Sequence, residues 1–183
     1  PAEGGGLELR AATQWPSQVQ AAVADAVALP ANAVSVQARR AGGGFGGKLT
    51  RCLPTATAAA VACAKHGVGV RVANSRDTDF AMIGGRQPMM FTYKVGYDDA
   101  GLVQAYEVEA FMDGGCEQEA NWGCMDMGML WADNAYFFPN YRMTAKVCKT
   151  NLPPNTAMRS PGVVQTGWAT ECIVQRVAAE LKL

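Results

Sequence analysis

The chain has 183 residues, 49% of them hydrophobic and 17% charged, and its 16 basic and 16 acidic side chains cancel to a formal net charge of zero. That length and apolar content suffice for one large folded core or two small ones, and the charge balance argues against nucleic acid or an anionic membrane as partner. No run of ~18 apolar residues is present to span a bilayer, and Pro1 to Gly6 lack the basic start and apolar stretch of a secretory signal, opening abruptly as an excised piece would.

In chain order, Leu7 to Thr13 alternates apolar and polar side chains and predicts a strand. Pro16 to Leu29 carries Val19, Ala22, Val23 and Val27 at helical spacing and predicts a helix closed by Pro30. Val34 to Arg40 alternates again and predicts a second strand. Ala41 to Lys48 is too rich in glycine for any regular element. Thr50 to Lys65 is alanine-rich and predicts a helix with Thr50 as N-cap, His66 as a polar residue at its end and Gly67 as C-terminal cap. The β-branched run Val68 to Ala73 predicts a buried strand, and Asp77 to Ile83 a short helix stopped by Gly84-Gly85.

Further on, Phe91 to Tyr97 and Leu102 to Phe111 flank Asp98-Asp99-Ala100-Gly101, the pattern of a hairpin with its turn chemistry in place. Gly114 to Asn134 has no clear period, although Met125 to Trp131 fits a helical turn or two. Arg142 to Cys148 predicts another strand, and Pro153-Pro154 and Pro161 frame an extended loop. Gly162 to Leu181, apolar at Val164, Trp168, Cys172, Val174, Val177 and Leu181, predicts an amphipathic helix. Strands and helices mix without strict alternation, so the expected class is α+β, mixed sheets packed with helices.

Cys52, Cys63, Cys116, Cys124, Cys148 and Cys172 form no C-x-x-C pair, and His66 is the sole histidine, which leaves zinc and iron–sulfur sites without their ligands. The wide spacings favour free thiols in a reducing, cytoplasmic setting over a disulfide framework. The nine methionines read as core filler.

Five of the six residues Gly42 to Gly47 are glycine, after a predicted strand and before a predicted helix. Such a bend lets main-chain N–H groups converge without side-chain obstruction, and the helix start behind it adds partial positive charge. Oxyanions, phosphates and metal-oxo groups all suit that geometry; a slack loop with no ligand is the alternative. Gly42, Gly44 and Gly47 satisfy G-x-G-x-x-G, but no acidic residue stands ~20 residues on to take a ribose hydroxyl. Gly42, Gly47 and Lys48 approach the P-loop pattern, but Leu49 stands where Ser or Thr should meet magnesium. A nucleotide-binding domain is therefore disfavoured.

Gly43-Gly44-Phe45-Gly46-Gly47-Lys48 resembles the signature loop of the molybdopterin-binding part of the xanthine dehydrogenase and aldehyde oxidase family, the molybdenum hydroxylases. Three further segments agree in order and spacing from about Val34 to Leu183: Gly84-Gly85-Arg86-Gln87-Pro88 with Tyr93-Lys94-Val95-Gly96; Asp133-Asn134-Ala135-Tyr136 with Pro139-Asn140; and Cys148 to Pro153 with Asn155-Thr156-Ala157-Met158-Arg159. The resemblance implies that residues 1–183 are a partial molybdopterin-binding region, comprising a glycine loop at 41–48, a hairpin at 91–111, an Arg159 segment at 148–162 and a C-terminal helix at 162–181.

The resemblance implies a molybdenum held by a pterin dithiolene that takes electrons from a carbon centre and passes them through iron–sulfur clusters to flavin or oxygen. It implies that Phe45 and Gly46 contact the molybdenum centre through backbone amides, that Arg159 lies beside metal and cofactor, and that Phe45 and Arg159 meet in the fold as outer contacts of the metal. Leu49 and Met127 stand where xanthine-type members carry a glutamate and an arginine that grip a purine; aldehyde oxidases are apolar there, and an apolar wall favours aldehydes and neutral heteroaromatics. Arg159-Ser160-Pro161-Gly162 departs from the usual Arg-Gly-Phe-Gly, so Pro161 replaces an aromatic of the substrate pocket, and Met158 replaces the usual Phe. The catalytic glutamate is expected beyond the chain's end and a molybdenum-contacting glutamine before its start, so no catalytic base is assigned within it. Glu171 and Glu180 are expected to face solvent or a domain neighbour. Partners implied are the remaining domains or subunits of a parent hydroxylase, iron–sulfur clusters and FAD among them, a small aldehyde or heterocycle, and a second copy in a parent homodimer. A diverged structural module without catalysis is the competing reading.

Overall fold

The computed structural model describes Pro1–Leu183, the side chain of Glu3 excepted. It divides into two compact units, Pro1–Gly84 and Gly85–Leu183.

In the first unit, strand β1 (Leu7–Arg10) and strand β2 (Val34–Gln37) pair in parallel, Leu7 opposite Val34, joined by helix α1 (Pro16–Val27). A parallel pair requires such a crossover because its strands run the same way. Pro16 opens α1 where a missing N–H costs nothing. Its end comes at Ala28, in the left-handed region, before the chain reaches Pro30. Helix α2 (Leu53–His66) packs on the same face, so Leu7, Val19, Val23, Val34, Ala56 and Ala60 form one buried cluster. Helix α3 (Arg76–Ile83) starts at Ser75, whose hydroxyl accepts the Thr78 N–H, and ends at Gly84.

Two expectations for this unit are corrected. Thr50 is not the N-cap of α2: Cys52 holds that position without a side-chain cap bond, and Pro54 occupies the first turn. The buried strand over Val68 to Ala73 does not form; the segment is irregular, with Val68 56%, Val70 38% and Val72 46% exposed. A β-branched run needs a neighbouring strand before it can be one. Gly67 does cap α2 in the left-handed conformation, its N–H donating to the Cys63 carbonyl.

In the second unit, strand β3 (Met89–Tyr97), strand β4 (Val103–Asp113) and strand β5 (Asn140–Cys148) form one sheet in that order. β3 and β4 are the hairpin, antiparallel with Tyr93 opposite Val108. β4 and β5 are parallel, with helix α4 (Asn121–Leu130) in the crossover. Sheet and helices are therefore mixed, as the α+β expectation has it. Tyr106, Val108, Ala110 and Met112 bury alternate positions of β4, while Glu107 and Glu109 pair with Arg142 and Lys146 of β5 on the open face. Tyr106, Phe138 and Tyr141 stack, with centroids 4.5 Å and 5.8 Å from Tyr106.

Helix α5 (Val163–Leu181) runs where the sequence puts it, but its buried side is different. Thr166, Thr170, Ile173 and Val177 face inward, whereas Val164, Trp168 and Cys172 are exposed, Trp168 by 72%. Apolar spacing misleads here because two threonines are used inside. Thr166 Oγ1 donates to the Gly128 carbonyl at 2.9 Å. Thr170 Oγ1 donates to the Ala132 carbonyl at 2.5 Å, and accepts from Tyr106 Oη at 2.9 Å. Hydrogen-bonded hydroxyls can be buried at little cost. Among the described residues no helix is long and apolar enough to cross a membrane, and all six cysteines are free thiols.

Candidate functional site

The glycine bend belongs to the first unit and is built around one unfavourable residue. Phe45 has φ of 52° and is 64% exposed. A bulky L-residue in the left-handed region costs ~1–2 kcal/mol, so its neighbours must impose it. Gly43 and Gly46 lie at φ of 91° and 99° on either side, and the Gly47 N–H donates to the Gly44 carbonyl at 2.8 Å to close the turn. A Cβ on Gly43 would come within 2.7 Å of the Phe45 ring.

A residue that sequence reasoning missed completes the bend. The Gln14 Oε1 atom accepts the Gly46 N–H at 3.0 Å and the Lys48 N–H at 3.2 Å. It crosses the bend so closely that a Cβ on Gly44 would lie 2.3 Å from the same oxygen. The Gly46 amide, expected to face a metal-oxo group, is thus committed to Gln14. Among the described residues the Phe45 amide donates to no carbonyl or side chain. Lys48 Nζ turns back to the Ala41 carbonyl, and Leu49 is half-buried, its N–H donating to the Gly46 carbonyl. Gln14 sits in a Thr-Gln-Trp segment after β1 with no motif to mark it; contact alone identifies it.

The Arg159 segment belongs to the second unit and is held by Arg86. That guanidinium donates to three successive carbonyls, those of Met158 at 3.4 Å, Arg159 at 2.7 Å and Ser160 at 3.1 Å, and reaches Gln165 Oε1 at 3.5 Å. Arg159 itself is exposed, and among the described residues its guanidinium has no hydrogen-bond or ion-pair partner. The backbone is therefore fixed while the cation is left open. Ser160 and Gly162 both have positive φ, 58° and 73°. Gly162 is wedged against α4: a Cβ there would lie 1.8 Å from the Cys124 carbonyl and 2.7 Å from the Gly128 nitrogen. That contact brings Met127, next to Gly128 on α4, into the neighbourhood of Pro161. Met127 is 39% exposed and Pro161 half-buried.

Close to this segment in the second unit lies a buried polar cluster. Gln87 Nε2 donates to Asn121 Oδ1 at 3.1 Å and to Cys124 Sγ at 3.5 Å, while Gln87 Oε1 has no partner among the described residues. Burial pushes the Cys124 thiol above its usual pKa, which keeps it protonated and unreactive. Glu171 accepts from Asn134 Nδ2 and Tyr136 Oη and Glu180 pairs with Arg176, so both carboxylates serve the surface of the second unit. Phe45, Gly46 and Leu49 thus stand in one unit, and Met127, Arg159 and Pro161 in the other.

In the first unit the bend, with its free amide and the glutamine laid across it, suits an electron-rich, anionic group, and in the second unit the unpaired guanidinium on its fixed loop does so as well. A family model described as the molybdopterin cofactor-binding domain matches residues 1–183, and the chain belongs to that family. It is 41% identical to aldehyde oxidase 1 of Oryctolagus cuniculus over 177 residues, 97% of this chain and 13% of that protein. It is 42% identical to xanthine dehydrogenase/oxidase of Rattus norvegicus over 176 residues, 96% and 13% respectively. The chain therefore spans about 13% of the length of these curated relatives. Among solved structures, quinoline 2-oxidoreductase from Pseudomonas putida 86 superposes with a TM-score of 0.82 at 26% identity, covering 97% of this chain and 23% of that one. The aldehyde oxidoreductase from Desulfovibrio gigas shares the fold, with a TM-score of 0.85 at 23% identity over 100% of this chain and 20% of that one.

Proposed function

We propose that this chain is a working part of a molybdenum hydroxylase that oxidises aldehydes or heteroaromatic carbons, and that it acts only with the remaining domains or subunits of its parent. The observation that carries this reading is the glycine bend, which spends conformational energy to hold an exposed Phe45 and leaves its amide without an acceptor. Such strain is kept where a ligand uses it.

The bound pterin-held molybdenum supplies the oxidising centre that takes electrons from the substrate carbon. This chain's residues bind and orient. The Phe45 N–H and the Arg159 guanidinium would hold the anionic side of that group. Gln14, anchored by the Gly46 and Lys48 amides, takes the place of the glutamine expected before Pro1. Partition of the set between two units makes the meeting of Phe45 and Arg159 a proposal as well, tested by cross-linking cysteines placed at both positions in the full-length parent. Residues 1–183 remain a partial cofactor-binding region, with the glycine loop at 41–48 and the Arg159 segment at 148–162 as its contributing parts. No base is assigned within the chain. Iron–sulfur clusters and FAD belong to other parts of a cytoplasmic, homodimeric parent.

The relatives at 41% and 42% identity are an aldehyde oxidase and a xanthine dehydrogenase/oxidase, so overall identity does not choose a substrate. Leu49, Met127 and Pro161 carry that choice: none has a charged or hydrogen-bond-donating side chain to meet a purine, and an unmet purine amide is costly to bury. Leu49→Glu with Met127→Arg in the full-length parent should raise purine turnover relative to aldehyde turnover; an unchanged ratio rejects the pocket assignment. The whole reading is tested by assaying molybdenum and pterin in the purified parent. Stoichiometric amounts, with turnover falling ~10²–10³-fold in Arg159→Met while metal is retained, are expected.

One observation favours a second reading, a non-catalytic module. Ser160 has φ of 58° directly before Pro161, a conformation that proline disfavours in the residue preceding it, in a segment that departs from the family pattern. A parent that folds and carries no molybdenum establishes that reading instead.

A further inference from the structure

Within the first unit, the segment that joins β1 to α1 meets the exit of the glycine bend at one atom, the Lys48 carbonyl oxygen. That oxygen accepts the Gln14 N–H at 2.9 Å and the Thr13 hydroxyl at 3.2 Å, which uses both lone pairs of a carbonyl. Thr13 Oγ1 in turn accepts the Trp15 N–H at 3.0 Å, closing a turn of which Gln14 is the middle residue. Cys52 Sγ stands 3.3 Å from the same hydroxyl oxygen and 3.4 Å from the Lys48 carbonyl. Cys52 is the N-cap of α2 and packs on the buried cluster of that unit. One hydroxyl therefore joins the end of β1, the end of the bend and the start of α2.

Burial separates the two neighbours. Thr13 is 3% exposed, whereas the Gln14 side chain is open to solvent. Fixing an exposed glutamine costs side-chain entropy of the same order as two neutral hydrogen bonds return. The bonds from the Gly46 and Lys48 amides to Gln14 Oε1 thus leave little surplus to hold that side chain across the bend. Thr13 has what Gln14 lacks, a hydroxyl away from water with a donor and an acceptor facing it, where a broken bond carries a desolvation penalty. Threonine is also stiff at χ1, so the hydroxyl keeps the turn in register. The bonds between 13–14 and 46–48 run both ways, the Lys48 N–H donating to the Gln14 side chain and the Gln14 N–H donating to the Lys48 carbonyl.

We propose that Thr13 is a positioning residue, the lock that holds Gln14 across the glycine bend and so sets the direction in which the Phe45 amide points. It acts through Gln14 and the Lys48 carbonyl. The inference deepens the role proposed for the bend and rests on it. Thr13→Val keeps the shape of the side chain but leaves the Trp15 N–H without its acceptor and one lone pair of the Lys48 carbonyl without its donor. The turn then loosens, Gln14 leaves the Gly46 and Lys48 amides, and the left-handed Phe45 backbone is free to relax. Thr13→Ser retains the hydroxyl and with it the lock.

Hydrogen exchange by mass spectrometry on the full-length parent, read at residues 46–48 beside steady-state kinetics on an aldehyde, tests it. In Thr13→Val the Gly46 and Lys48 amides should exchange about tenfold faster, while those of β1 and α2 change by less than about twofold. With molybdenum retained, kcat should fall about tenfold at a KM within about twofold, because orientation is lost and the pocket walls are not. Thr13→Ser should restore both. Unchanged exchange at 46–48 overturns the lock. So does faster exchange spread evenly over β1, α1 and α2, which makes Thr13 a core residue and nothing more. A raised KM with kcat unchanged overturns it too, as does a serine variant that fails to rescue. If Thr13→Val does not fold, the wild-type parent decides: Gly46 and Lys48 amides exchanging at the rate of an open loop overturn the proposal, and rates matching those of β1 support it. A parent without molybdenum refutes the proposed function and leaves the exchange outcomes in force.

Discussion

At the scale of single residues, the two site segments handle left-handed backbone in opposite ways. Gly162 is glycine because nothing else fits: its φ is 73° and a Cβ would overlap the Cys124 carbonyl. Gly162→Ala should lower the stability of the chain by about 3 kcal/mol or more, through backbone strain and overpacking together, measured as a drop in the urea midpoint. Phe45 is the reverse, a bulky residue in glycine's conformation with its ring largely in solvent. Phe45→Gly relieves ~1–2 kcal/mol of strain and gives back ~0.5–1 kcal/mol in unfolded-chain entropy. Stability of the isolated chain should hold or rise by up to ~1.5 kcal/mol, while cofactor retention by the parent falls. A clear loss of stability would mean that the ring packs for structural reasons. Glycines at 42–47 are legible in the sequence; that Phe45 shares their conformation is not, because side-chain identity does not report φ.

At the scale of elements, the Arg86 clamp turns a loop into a platform. Three carbonyls converge on one guanidinium, and hydrogen bonds from a charged donor are worth ~1.5–3 kcal/mol each when well made. Arg86→Met should free residues 158–160 and raise tryptic cleavage after Arg159 by about tenfold, the equivalent of ~1.4 kcal/mol of easier opening. Arg86→Lys should not restore protection, since an ammonium lacks the planar fork. Unchanged cleavage in Arg86→Met would show that Gly162 alone holds the segment. Helix α5 illustrates what element-level pattern reading can and cannot do. Its span followed from apolar recurrence, but its orientation was set by Thr166 and Thr170, whose hydroxyls are buried because Gly128, Ala132 and Tyr106 offer partners. No rule of periodicity contains those partners.

At the scale of the molecule, the five tyrosines all fall in the second unit, at 93, 97, 106, 136 and 141, so tyrosine ionisation acts on one half. Burial, with lesser contributions from Asp133 and Tyr106, pushes the Tyr141 pKa from 10.0 up to about 12, and burial raises Tyr106 as well. Between those limits the folded state keeps a proton that the unfolded state has released, so stability is whole below pH 10 and falls as pH rises toward 12. The slope should lessen in Tyr141→Phe, followed by denaturant unfolding at several pH values alongside tyrosinate absorbance. An unaltered slope would assign the effect to Tyr106, whose hydroxyl sits deeper, bonded to Thr170.

Local chemistry was readable from the sequence alone: the glycine bend, the hairpin, the caps at Gly67 and Gly84, the C-terminal helix and the four segments that carry the family resemblance. Each is a matter of backbone freedom or near-neighbour spacing, which a linear chain encodes directly. Only the tertiary structure decided that Gln14 lies across the bend, that Arg86 grips the Arg159 segment from 73 residues away, and that Val68–Ala73 forms no strand. Those outcomes depend on which groups meet across long separations, and a donor or a strand edge has no structural meaning until its partner is in place.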